Sequence, residues 1–80
     1  MTALKAVETA LSLKRGQRAT IQGPLSEVDI LRVPEGHWVI RYQPWKLQPH
    51  ARWADNRRQL LEDFTNLFDM GYLPQGRMNF

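Results

Sequence analysis

The sequence predicts an α+β fold, a single-layer antiparallel sheet of about three strands flanked by two helices in the order α-β-β-β-α. Three patterns carry that expectation. Between Asp55 and Gly71, the apolar residues Leu60, Leu61, Phe64, Leu67 and Phe68 recur at the spacing of one helix face. Between Val28 and Tyr42, two strand-forming runs meet at Pro34, Glu35 and Gly36, where proline presets φ and glycine tolerates the left-handed region. Before them, Ala3 to Leu13 repeats apolar residues at helical spacing and stops ahead of Gly16.

A chain of 80 residues makes one domain, because at this length only about 60% of the unfolded surface is hidden on folding and a second core cannot form. Residues 1–80 are therefore read as a single unit, with 75–80 expected as a loosely ordered tail. The apolar content of 42%, with three Trp, three Phe and two Tyr, is enough to drive collapse. Absence of cysteine removes disulfides and thiolate metal sites and suits a reducing compartment. No apolar run approaches the roughly 20 residues that cross a bilayer, and Lys5 and Glu8 interrupt the first apolar stretch. A cytoplasmic protein with no membrane partner is expected.

In the first helix, Thr2 is the expected cap, with Leu4, Val7 and Leu11 on the buried stripe and Ala3 and Ala10 widening it. Arg18 to Gln22 alternates as a short edge strand, and Gly23 and Pro24 end it. The hairpin register follows from a three-residue loop. Val33 then pairs with His37, Arg32 with Trp38, Leu31 with Val39, Ile30 with Ile40, Asp29 with Arg41 and Val28 with Tyr42. One face collects Val28, Ile30, Trp38, Ile40 and Tyr42, and the other collects Leu31, Val33 and Val39. The second helix is expected over the larger set. The smaller set is left to the first helix or to another chain. Pro44 and Pro49 argue for an extended crossover from Gln43 to Ala54. Asp55 is the expected cap of the second helix and Gly71 its left-handed stop.

Catalytic signatures are lacking. There is no cysteine nucleophile, no glycine-rich phosphate loop, and no histidine near Ser12 or Ser26 in sequence. His37 and His50 lack a metal-ligand spacing, and Glu62 and Asp63 fall on the expected solvated side of the second helix. The chain is read as a non-enzyme with no catalytic residues, no cofactor and no metal.

The constellation that stands out is Arg41, Trp45, Lys46, His50, Arg52, Trp53, Arg57 and Arg58, with a second basic patch at Lys14, Arg15 and Arg18. Trp and Arg are the residues enriched at protein hot spots, and basic groups between aromatic rings also suit nucleic acid. Of the eleven cations in a chain of net charge +3, eight are Arg, which favours planar contacts to carboxylate or phosphate. Arg57 and Arg58 at the start of the second helix oppose the macrodipole, and such a broken local rule often marks a site. The leading expectation is a small interaction module, a regulator, adaptor or inhibitor, docking on an acidic surface of a larger protein. The alternative is nucleic-acid binding through the same crossover. Self-association through the smaller apolar sheet face is a third expectation.

Overall fold

The computed structural model describes residues 2–44 and 47–74. They form α1 (Ala3–Leu11), β1 (Arg18–Gln22), β2 (Glu27–Arg32), β3 (Trp38–Tyr42), β4 (His50–Ala54) and α2 (Arg57–Asp69). The strands build one four-stranded antiparallel sheet in chain order, β1-β2-β3-β4. The hairpin register is the expected one, from Arg32 opposite Trp38 to Val28 opposite Tyr42. The Val33 N–H donates to the His37 carbonyl beyond it (2.9 Å).

The sheet gains a strand where the sequence suggested an irregular crossover. His50–Ala54 pairs with β3, setting Trp38 opposite Ala54, Ile40 opposite Arg52 and Tyr42 opposite His50. Proline removes only its own backbone donor, and both Pro44 and Pro49 lie outside the paired residues, so they bound the strand and leave its ladder intact. The expected tail at 75–80 lies outside the described residues.

Both helices cover the same face. Ala6, Val7 and Ala10 of α1 join Leu60, Phe64 and Leu67 of α2 in one core with Val28, Ile30, Trp38, Ile40 and Tyr42. The Trp38 indole N–H donates to the Ala10 carbonyl (2.9 Å), a buried bond that holds α1 close to the sheet. The side chains turned into that approach are Ala6, Val7 and Ala10, all smaller than leucine. This is why Leu4 and Leu11, expected on the buried stripe, stand 48% and 38% exposed. Among the described residues, no helix covers the face bearing Leu31, Val33 and Val39.

Helix ends follow local chemistry. Thr2 caps α1 by accepting from the Lys5 N–H (3.1 Å). The cap of α2 is Asn56 in place of the expected Asp55: its side chain accepts from the Gln59 N–H (2.9 Å), while Gln59 Oε1 accepts from the Asp55 N–H (2.7 Å). This reciprocal pair satisfies the Gln59 N–H of the first turn and the Asp55 N–H just ahead of the cap. At the other end Gly71 (φ +89) lets its own N–H reach the Phe68 carbonyl and the Tyr72 N–H reach the Leu67 carbonyl. That turn folds Tyr72 and Leu73 back into the core.

Candidate functional site

The structure divides the expected patch. Trp45 and Lys46 lie outside the described residues. Arg41 and Trp53 stand on the bare face of the sheet, both exposed, with Trp53 at 64%. The Trp53 ring stacks on His37, with centroids 4.8 Å apart. Arg41 lies opposite Asp29 on one side and Ala51 on the other. Asp29 and Arg41, opposite each other as the register predicts, form no ion pair with one another. Asp29 instead accepts a hydrogen bond from the Thr20 hydroxyl (2.8 Å).

Arg52 is withdrawn from the patch, a correction to the sequence reading. Strand alternation turns it to the covered face, where its guanidinium meets Asp63 of α2 at 3.7 Å and lies 5.8 Å from the Tyr42 ring centre. Asp63 is thereby half-buried rather than part of a solvated face. Burial pushes the Asp63 carboxyl above its ordinary value; Arg52 pulls the other way, and the neighbouring Glu62 adds to the rise. His50 stays exposed at the strand start, edge-on to Tyr42 at 5.7 Å.

The remaining cations converge at one end of the molecule. The α1–β1 loop is tied to the β2–β3 loop: the Gly16 N–H donates to the Arg32 carbonyl, and Arg15 Nη1 donates to the Pro34 carbonyl (3.4 Å). The α2 N-terminus follows β4 by three residues, and β4 ends opposite Trp38, just past the same β2–β3 loop. Lys14, Arg15 and Arg18 therefore share an end with Arg57 and Arg58, although they lie far apart in sequence. They outnumber the acids there, Glu35, Asp55 and Glu62. Arg58 makes an exposed 4.0 Å contact with Glu62, which solvent screens heavily.

Arg32, also at this end, has a structural role that goes beyond its place beside Trp38. Its guanidinium lies over the Trp38 ring at 4.5 Å, its Nε donates to the Gly36 carbonyl and its Nη1 donates to the Leu13 carbonyl, both at 3.1 Å. Pairing with a ring was legible from the register, but the two loop carbonyls were not, because they depend on where α1 stops.

Among the described residues no group of His, Asp and Glu is placed to hold a metal ion, and no helix is long and apolar enough to cross a membrane. No family model, curated protein or solved structure matches the chain.

Proposed function

We propose that the chain is a small non-catalytic docking module whose basic end seats on an acidic surface of a larger protein, as a regulator, adaptor or inhibitor does. The observation that supports this reading is the convergence of Lys14, Arg15 and Arg18 with Arg57 and Arg58 at one end of the fold. A predominantly basic end of this kind raises the encounter rate with an acidic partner and selects against basic ones. Absence of cysteine suits a cytoplasmic setting.

Affinity capture from native lysate tests the reading, comparing the intact chain with Arg57→Glu plus Arg58→Glu. The double change should lose an acidic protein that the intact chain retains, while the circular dichroism spectrum is unchanged. Capture of the same set by both proteins would contradict it.

One feature favours nucleic acid as a second reading: the exposed Trp53 ring stands on the sheet near this basic end and offers a stacking surface. Oligonucleotide anisotropy separates the two. Phosphate binding would weaken linearly in log salt, and absence of binding at low salt would dismiss it.

A further inference from the structure

The bare sheet face is arranged in levels. One level carries Arg18, Leu31, Val39 and Trp53 across the four strands; the next carries Thr20, Asp29, Arg41 and Ala51. Unlike the basic end, this face is balanced in charge at its centre, with Asp29 against Arg41. Those two face each other in register yet form no ion pair, and the Arg41 side chain has no hydrogen bond or ion pair among the described residues. Leu31 and Val39, half-buried, lie beside them, and no described helix or strand is layered over them.

We propose that this face is covered by a second copy of the chain, related by a two-fold axis parallel to the strands and midway between β2 and β3. Rotation about that axis lays β2 over β3 of the second copy and β1 over its β4, while each level keeps its height. Asp29 then faces Arg41 of the second copy, and Arg41 faces its Asp29. Leu31 meets Val39 both ways. Arg18 comes over the Trp53 ring of the second copy, the same kind of contact that Arg32 makes with Trp38 inside one chain at 4.5 Å. Every contact occurs twice, as an isologous interface requires.

A contrasting face-to-face choice, an axis perpendicular to the strands at the Asp29 level, sets Asp29 against Asp29 and Arg41 against Arg41. Like-charge opposition rejects it. Two sheets stacked about 10 Å apart make an aligned sandwich with the helices outside. The face is small: four strands about 4.8 Å apart and five residues long give roughly 19 by 17 Å. Such an area belongs to the weak class of interfaces, so the dimer exchanges with monomer as concentration changes. Because levels keep their height, the two basic ends lie on the same side of the dimer.

Sedimentation equilibrium of the full chain, over a series reaching millimolar concentration, tests this. The intact chain should show a reversible monomer–dimer equilibrium. Arg41→Asp alone and Asp29→Arg alone should each weaken association about tenfold or more, since each contact is lost twice. Combining the two should recover it, and Val39→Lys should leave monomer. Circular dichroism keeps the comparison to folded proteins. A monomer at every concentration would overturn the proposal, as would a dimer indifferent to Val39→Lys and to both single charge changes. Failure of the combined swap to recover association would overturn the axis.

Discussion

Arg32 shows how one side chain can join three segments that are separate in sequence. Its contacts to the Trp38 ring, the Gly36 carbonyl and the Leu13 carbonyl tie the hairpin loop to the end of α1. Arg32→Ala should cost about 2 to 3 kcal/mol in urea denaturation, because two loop carbonyls and a ring lose a charged partner. Arg18→Ala, on the bare face, should change stability by no more than about 0.5 kcal/mol in dilute solution. Gly23 has a steric role: a Cβ there would meet the Tyr72 carbonyl oxygen, so Gly23→Ala must displace the segment after α2 and should cost about 1 to 3 kcal/mol. Asp63 adds a dependence on pH. Burial holds its carboxyl above the ordinary 3.8, so the native chain keeps a proton that the unfolded chain releases. Its contribution is therefore full below 3.8 and is lost as pH rises through the raised value. Urea midpoints measured from acid to neutral pH should lose that decline in Asp63→Asn, and an unaltered decline would contradict the assignment.

At the scale of elements, periodicity made both helices, the edge strand and the hairpin register legible, since side-chain spacing alone specifies which face each residue takes. Two features were less legible. β4 was obscured by its flanking prolines and by a sequence, His50 to Ala54, that carries Arg52 inward to meet Asp63 on α2. A charged residue at an inward position breaks the apolar alternation by which strands are recognised, and only the packed partner reveals it. The buried face of α1 is Ala6, Val7 and Ala10, turned away from Leu4 and Leu11, because close approach to Trp38 favours small side chains over leucine. The cap of α2 supplies a sharp test. Asn56→Ala should cost about 1 kcal/mol, whereas Asp55→Ala should cost much less, because the Asp55 backbone N–H rather than its side chain enters the capping pair.

For the molecule as a whole, the placement of both helices on one side of the sheet decides what is available for binding. The candidate residues Arg41 and Trp53 were identified from the sequence, but their separation from Arg57 and Arg58 depends on that layering and on which way β4 alternates. One surface is basic and lies at the loop end; the other is apolar with balanced charge and lies on the sheet. The dimer proposal rests on the second sheet face being uncovered in the isolated chain. The most direct measurement is paramagnetic relaxation by a soluble, uncharged agent in dilute solution, read from side-chain signals by NMR. Leu31, Val39 and Trp53 should relax strongly while Ile30, Ile40 and Trp38 remain protected. Protection of Leu31, Val39 and Trp53 in the dilute monomer would mean that the chain covers this face itself, contradicting the account.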